Sequence, residues 1–193
     1  MERIFLGVVA DDFTGASDAA SFLTAAGAPA VLFNGVPGQE PELKAGTRAI
    51  VVALKSRTEP VRQAVEESLA AFDWLKKMGA EKLYLKYCST FDSTPEGNIG
   101  PVIDAVMDRY GITRTVLCPS LPVNGRTVRD GRLYVNGVLL EDSHMKDHPL
   151  TPMRKSRISR LMEEQGKHPS VELSVEELSG DGWREKLPAE PCY

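Results

Sequence analysis

Apolar runs of strand length alternate with helical patterns along the first two thirds of this chain, and this alternation constrains the fold more than any other feature. The predicted strands are Ile4–Ala10, Ala30–Phe33, Ala49–Leu54, Leu83–Tyr87 and Thr115–Cys118. Parallel neighbours in a sheet need crossover connections, which helices normally supply. The sequence therefore predicts an α/β fold with an open, mostly parallel sheet and flanking helices.

Three segments with helical character each precede a glycine, the residue that commonly ends helices. For the first of them, Thr14 or Ser17 could be the N-cap, because short hydroxyl side chains accept hydrogen bonds from free helix amides. The predicted helices are Ser17–Ala26 before Gly27, Pro60–Met78 before Gly79, and Ile99–Tyr110 before Gly111.

The pattern changes after the fifth predicted strand. Two short apolar segments, 132–135 and 138–140, flank Asn136-Gly137, a pair that favours the positive φ angles of a tight turn and so predicts a β-hairpin insertion. Thr151-Pro152 could open a helix that runs to about Gln165.

The periodicity decays after Gly166. Val171–Leu178 is expected to form one more element, whereas Ser179–Tyr193 is polar and has no obvious core face. We therefore expect one domain over residues 1–165 and an atypical tail over 166–193.

Composition excludes several classes of protein. The chain has 193 residues, 42% hydrophobic, with a net charge of −4, which argues against disorder and against a nucleic-acid partner. Apolar stretches are too short to cross a bilayer, so no membrane partner is expected. Three cysteines without a metal-type or disulfide spacing, and no targeting segment, favour the cytoplasm and predict no metal site.

Polar clusters follow the predicted strands, and ligands of open parallel sheets bind at the carboxyl ends of strands. Asp11 and Asp12 follow the first strand, and Lys55 and Arg57 follow the third. The aspartates could bind ligand hydroxyls, or could merely favour the dipole of the next helix. Likewise, Arg57 could clamp a carboxylate or phosphate, or could belong to a solvated basic loop.

The later loops add hydroxyl, amide and basic groups. The candidate ligands there are Lys86, Ser89, Thr90, Asp92, Asn124, Arg126 and His148. His144 and His148 are four residues apart, but Pro149 would break a helix that aligned them, so hydrogen bonding to a substrate is favoured over metal binding.

Several common motifs are absent from the sequence. It contains no Gly-x-x-x-x-Gly-Lys-Ser/Thr loop, no Gly-x-Gly-x-x-Gly and no Gly-x-Ser-x-Gly. The residues themselves therefore indicate only a small, polar, anionic and hydroxylated ligand.

The loops together resemble the four-carbon acid sugar kinase family over about residues 4–165. The matching segments are ADDFTGASDAA (10–20), LKSR (54–57), KYCSTFDSTPEGNIGPVIDA (86–105), CPSLPVNGRTVRDGRLYVNGVLLEDS (118–143) and HPLTPMRKS (148–156). The resemblance implies the sugar-acid-binding N-terminal domain of a kinase. The family's ATP-binding domain would lie C-terminal to it, so the tail at 166–193 is expected to be truncated or atypical.

The resemblance also implies a reaction, transfer of the ATP γ-phosphoryl group to the terminal hydroxyl of a four-carbon acid sugar, with Mg²⁺ in the complete enzyme. Asp12, or Asp11, would orient the attacking hydroxyl. Arg57, Lys86 and Arg126 would neutralise the carboxylate or the migrating phosphoryl group. Sugar hydroxyls would contact Ser89, Thr90, Asp92 and Asn124, with His148 closing over the site.

Three functions remain open from the sequence. The chain could be the substrate domain of a kinase, inactive in isolation and binding neither ATP nor Mg²⁺ by itself. It could instead be a non-catalytic sugar-acid binding module. A receiver-like signalling domain is ranked last, because it would need an aspartate where Lys55 stands. A homo-oligomer is compatible with each of these.

Overall fold

The protein forms two compact units, which a computed structural model describes over residues 3–193. The first unit ends at Tyr87, and the second comprises Cys88–Tyr193. Across residues 3–193, no helix has both the length and the apolar composition that a membrane span would need.

The first unit is a four-stranded parallel sheet with two helices. Its elements in chain order are β1 (Leu6–Ala10), α1 (Phe13–Ala25), β2 (Ala30–Asn34), β3 (Ala49–Ala53), α2 (Val61–Lys77) and β4 (Lys82–Lys86). Strand order is β2-β3-β1-β4, so β1 and β3 are central strands, and their apolar runs are typical of strands covered on both faces. This confirms the predicted fold class.

Strand register brings three strand ends to the same level of the sheet. Ala10, the last residue of β1, pairs with Ala53 of β3 and with Lys86 of β4. The residues that follow these strands therefore leave the sheet side by side. Helix α2 packs closely on β1 at Gly7, where an added Cβ would lie 3.0 Å from the Cβ atom of Leu75.

Helix α1 begins four residues earlier than the sequence predicts. Its N-cap is Asp12, whose Oδ1 accepts a hydrogen bond of 2.6 Å from the backbone nitrogen of Gly15. The alternative in which Thr14 or Ser17 is the cap is therefore wrong, since both lie inside the helix. A carboxylate caps at least as well as a hydroxyl, and here it also carries the charge that the helix N-terminus favours.

The elements of the second unit are α3 (Ile99–Tyr110), β5 (Arg126–Arg129), β6 (Arg132–Val135), β7 (Val138–Leu139), α4 (Ile158–Glu163) and α5 (Val175–Leu178). Its strands form an antiparallel sheet in the order β5-β6-β7. Asn136 and Gly137 have φ angles of 51° and 81°, which confirms the predicted hairpin turn. A second turn of the same kind, Asp130-Gly131, joins β5 to β6 and is not among the predicted elements.

The predicted strand Thr115–Cys118 is irregular backbone, so that prediction is wrong. The backbone at the start of this segment hydrogen-bonds to Cys192. The Thr115 nitrogen donates to the Cys192 carbonyl (3.3 Å), and the Cys192 nitrogen donates to the Thr113 carbonyl (3.1 Å). Two hydrogen bonds around one residue form an isolated bridge rather than a ladder. Val116 remains 82% exposed in this segment.

The helix predicted from Thr151 to Gln165 is shortened to α4, which begins at Ile158. The residues before it pair with the hairpin instead, because the Ser156 carbonyl accepts from the Leu133 nitrogen at 2.8 Å. In addition, the Ser156 nitrogen donates to Glu141 Oε2 at 2.8 Å. These tertiary hydrogen bonds hold the segment extended and override its helical pattern.

The C-terminal residues have a core face that the sequence did not reveal. Cys192 and Tyr193 are only 2% and 6% exposed, so the expectation that Ser179–Tyr193 lacks a core face is wrong at its end. Tyr193 packs within the second unit, where its hydroxyl donates to Asp104 of α3. The division of the chain at residue 165 stays a prediction.

Candidate functional site

In the first unit, backbone hydrogen bonds between neighbouring segments continue past the ends of the strands. They join the residues that bear the predicted polar side chains. The Asp11 nitrogen donates to the Lys86 carbonyl at 3.0 Å, and the Arg57 nitrogen donates to the Asp11 carbonyl at 3.3 Å. Residues that lie 46 positions apart are thus tied together at the carboxyl edge of the sheet. This edge is where ligands of open α/β sheets bind.

Arg57 lies between two carboxylates at this edge. Its Nε and Nη2 donate to Asp11 Oδ2 and Oδ1 at 3.0 and 2.7 Å, the two-pronged geometry that suits a guanidinium. Its Nη1 lies 2.8 Å from Asp12 Oδ2. We name Asp11, Asp12, Arg57 and Lys86 the strand-end cluster.

Gly15 has no side chain, so Asp12 and Lys86 of the strand-end cluster can approach the first turn of α1 closely. A Cβ at this position would lie 2.8 Å from Asp12 Oδ1 and 3.5 Å from the Nζ of Lys86. Lys86 is half-buried, and its ammonium donates to the carbonyl of Tyr87 at 2.8 Å. Lys86 and Asp12 therefore both lie close to the position that a side chain at residue 15 would occupy.

Burial raises the pKa of Asp11 above its ordinary value of 3.8. Its hydrogen bonds with Arg57 and the positive charge there act in the opposite direction, and the nearby Asp12 adds to the increase. Desolvation disfavours the charged form of a carboxyl group, and it is the dominant effect at this position.

One contact at this edge was not predicted. The Lys55 ammonium lies 5.5 Å from the centre of the Phe13 ring, a cation–π arrangement between the residues that follow β3 and β1. Phe13 is 39% exposed, which is high for a phenylalanine. The register of the sheet brings the two residues together, so the sequence offered no local signal for the contact.

In the second unit, His148 contacts a residue that the sequence reasoning missed. Its Nδ1 accepts a hydrogen bond of 3.1 Å from the Thr151 nitrogen and lies 2.8 Å from Thr151 Oγ1. A backbone N–H can only donate, so Nδ1 carries no proton and the ring proton of this neutral form is on Nε2. Oδ1 of Asp92 lies 3.9 Å from the same Nδ1.

The other predicted ligands of the second unit have local contacts. Oγ1 of the buried Thr90 lies 3.0 Å from Sγ of Cys88. Nη1 of Arg126 donates to the carbonyl of Asn124, so these two neighbours bind each other. Ser89 is half-buried.

Gln165 was also missed by the sequence reasoning. Its Oε1 accepts hydrogen bonds from Ser93 Oγ at 3.1 Å and from the nitrogen of Gly100, in the first turn of α3, at 3.2 Å. An added Cβ at Gly100 would lie 2.6 Å from the Gln165 Cβ. No sequence signal links residues 65 positions apart, so this contact needed the tertiary structure.

The structure groups the predicted site residues in part. The first unit brings Asp11, Asp12, Arg57 and Lys86 into one cluster, and the second places His148 near Asp92 and Arg126 against Asn124. Their roles toward a ligand stay predictions. Among residues 3–193, no group of three His, Cys, Asp or Glu side chains could hold a metal ion.

Residues 6–190 match the family described as the sugar-binding N-terminal domain, and the chain belongs to that family. A 3-oxo-tetronate kinase of Brucella melitensis is 49% identical over 184 residues, which cover 94% of this chain and 42% of that protein. Other curated relatives, including one from Escherichia coli, carry the same name. The resemblance stated from the sequence is thereby confirmed at the level of the family.

Two solved structures share the fold. One from Salmonella typhimurium, described as a putative tRNA synthase, superposes with a TM-score of 0.87 at 49% identity, covering 91% of this chain and 42% of that one. Another, from Bordetella bronchiseptica, has a TM-score of 0.74 at 29% identity and covers 97% and 46%. It is described as a domain-swapped dimer with bound citrate. The chain thus spans less than half the length of these relatives.

Proposed function

We propose that this chain binds a four-carbon acid sugar of the 3-oxo-tetronate type and is the substrate-binding part of a kinase. The observation that carries the proposal is the strand-end cluster, in which both oxygens of Asp12 are held at the carboxyl edge of a parallel sheet. A carboxylate held in this way has lone pairs left to accept hydrogen bonds from ligand hydroxyls. The curated relatives named 3-oxo-tetronate kinase supply the substrate class.

The reaction proposed for the complete protein is transfer of a phosphoryl group from ATP to the terminal hydroxyl of the acid sugar. Such transfer depends on positioning the acceptor and on neutralising charge. Asp12 would accept the hydrogen bond of the attacking hydroxyl and orient it. Lys86 and Arg126 would offset the negative charge of the carboxylate or of the migrating group.

The second unit, considered by itself, is proposed to contain hydroxyl-binding groups. Ser89, Thr90, Asp92 and Asn124 supply donors and acceptors of the kind that sugar hydroxyls bind. His148, with its proton on Nε2, would donate one further hydrogen bond to a ligand hydroxyl. The citrate in the Bordetella bronchiseptica relative, itself a hydroxylated carboxylic acid, supports this ligand class.

ATP and Mg²⁺ would be bound by the part of the relatives that this chain does not span. When bound there, Mg²⁺ would offset the negative charge of the phosphates. The chain by itself is accordingly proposed to bind the acid sugar without phosphorylating it. We place the protein in the cytoplasm, where its three free thiols would stay reduced.

Calorimetric titration of the 193-residue chain with a 3-oxo-tetronate tests the proposal. Wild type should bind, and Asp12→Asn should weaken binding by about tenfold or more, since hydrogen bonds to charged groups contribute roughly 1.5–3 kcal/mol. Asp18→Asn, on the same helix outside the cluster, is the matched control. Absence of binding to wild type would refute the proposal.

Reconstitution decides between a kinase part and a binding module. The chain is mixed with ATP, Mg²⁺ and the C-terminal part of a 3-oxo-tetronate kinase, and phosphate transfer is measured. Turnover supports the kinase. Binding without turnover in every mixture would instead assign a non-catalytic sugar-acid module.

Self-association is proposed as a second property, since the Bordetella bronchiseptica relative is described as a domain-swapped dimer. Light scattering during size exclusion, at several protein concentrations, measures it directly. A monomer at every concentration would refute it.

A further inference from the structure

The guanidinium of Arg57 is oriented by Asp11 before any ligand arrives. Asp11 is itself fixed, because its nitrogen donates to the Lys86 carbonyl at 3.0 Å and its carbonyl accepts from the Arg57 nitrogen at 3.3 Å. Its two carboxylate oxygens then accept from Nε and Nη2 of Arg57. The Arg57 side chain is only 20% exposed, so little of it is presented to solvent.

Asp12 is held from two sides. Oδ1 accepts from the Gly15 nitrogen at 2.6 Å, and Oδ2 lies 2.8 Å from Nη1 of Arg57. A carboxylate offers about four lone-pair positions, so about two remain for a ligand. Holding such a group in place before binding reduces the ordering cost of association and makes the bound geometry more precise.

The nitrogens of Arg57 already face carboxylates of the protein. Nε and Nη2 donate to Asp11, and Nη1 lies 2.8 Å from Asp12 Oδ2. With Lys86 included, the strand-end cluster sums to zero when both acids are ionised, so it has no excess positive charge for an anion. The oxygens of Asp12 would repel a ligand carboxylate but can accept a hydrogen bond from a ligand hydroxyl.

We infer that Arg57 is a positioning residue that holds Asp12 ready to accept a ligand hydroxyl, and that it does not bind the ligand's carboxylate. The inference rests on the proposed function, in which the cluster takes a hydroxylated acid. This role differs from the one expected from the sequence, in which Arg57 binds a carboxylate or phosphate of the ligand. Recognition of the carboxylate then belongs to other cations of the site.

Titration of the 193-residue chain with two ligands of the same length separates the two roles: a tetronate, which carries a carboxylate, and the neutral tetritol, which does not. Arg57→Gln should weaken binding of both ligands by the same factor, about tenfold or more, so that the preference for the acid is retained. Arg57→Lys should show a smaller loss for both. Arg62→Gln, which changes an exposed arginine paired with Glu66, should alter neither.

A selective loss of tetronate binding in Arg57→Gln, with tetritol binding unchanged, would overturn the inference, because it would make Arg57 the carboxylate ligand. Hydrogen exchange of the Gly15 amide, measured by NMR without ligand, gives a second readout. Exchange should be faster in Arg57→Gln than in Arg62→Gln, because Asp12 is no longer held against that amide.

Unchanged Gly15 exchange in Arg57→Gln would equally refute a positioning role. If wild type bound neither ligand, the proposed function would fail, and the exchange measurement would still decide whether Arg57 positions Asp12. If Arg57→Gln did not fold, Arg57→Lys would replace it in both experiments, since it keeps the positive charge but cannot contact both aspartates with a planar fork.

Discussion

The hydroxyl of Tyr193 donates a hydrogen bond to the carboxylate of Asp104, 89 positions earlier in the chain. Asp104 is 2% exposed, and its other oxygen accepts from the Lys167 nitrogen at 2.9 Å. The Tyr193 oxygen in turn accepts from the His168 nitrogen at 3.3 Å. The last residue of the chain is thus part of a buried polar network around α3, and burial is the main reason that the pKa of its phenol is raised.

Tyr193→Phe should destabilise the second unit, because it removes a donor from the buried Asp104 carboxylate. A buried acceptor left short of a partner costs about 1–3 kcal/mol. Urea unfolding followed by the emission of Trp183, in a Trp74→Phe background, measures the change. Tyr134→Phe, which keeps the ring that lies 5.7 Å from Arg129, is the control. Equal midpoints for the two variants would contradict the prediction.

Gly15→Ala should weaken the N-cap of α1. The new Cβ would lie 2.8 Å from Asp12 Oδ1, a distance that forces the carboxylate to move. Loss of an N-cap costs about 1 kcal/mol. Thermal unfolding by circular dichroism should show a lower midpoint, and tetronate binding should weaken in parallel. Gly38→Ala, where nothing lies within 4 Å of the new Cβ, should leave both unchanged.

Asp11→Asn should change how stability depends on pH. Because the folded-state pKa of Asp11 is raised above 3.8, folding favours its protonated form. The contribution of this group to stability is therefore full below its unfolded-state pKa, and it is lost as pH rises through the folded-state value. Asparagine does not titrate, so the variant should gain stability relative to wild type as pH rises from about 3 into the neutral range.

Urea unfolding at a series of pH values tests this, with Trp74 emission in a Trp183→Phe background reporting on the first unit. Asp18→Asn is the matched control, since it removes a carboxylate outside the cluster. A stability difference between Asp11→Asn and wild type that stays constant with pH would contradict the prediction.

Thr151→Val should loosen His148 without unfolding the loop. The substitution keeps the backbone N–H that binds Nδ1 at 3.1 Å, but it removes the hydroxyl 2.8 Å from the same atom. The nitrogen chemical shifts of the imidazole distinguish its two neutral tautomers. They should show the proton on Nε2 in wild type and a mixture of tautomers in the variant. Thr151→Ser, which keeps the hydroxyl, should behave as wild type, and a wild-type proton on Nδ1 would refute the assignment.

Much of the first unit could be predicted because its signals are local. The continuous apolar runs of β1 and β3 indicate strands covered on both faces, and Gly79, with a φ of 88°, ends α2 where expected. Asp12 as N-cap was within reach of the sequence, since aspartate ranks with serine at that position. The strand-end cluster followed from one general rule, that parallel strands present their carboxyl ends at a common edge.

The second unit was harder because its structure depends on pairing between distant segments. Ser156 hydrogen-bonds to Leu133 and Glu141, which keeps extended a stretch that looked helical. Cys192 forms a β-bridge with Arg114, directly before the segment that the sequence predicts as a fifth strand. Neither contact has a local sequence signature, because each joins segments that are distant in the chain.

The class of fold, the edge of the sheet at which polar side chains gather and the family of the chain all follow from its sequence, because periodicity and motif are properties of neighbouring residues. The contacts that those side chains make depend on the tertiary structure. Arg57 is positively charged in any fold, but here it lies between Asp11 and Asp12. It therefore forms ion pairs with carboxylates of the protein itself. Hydrogen-bond geometry between residues far apart in the chain is set by strand register and packing, and no local pattern encodes it.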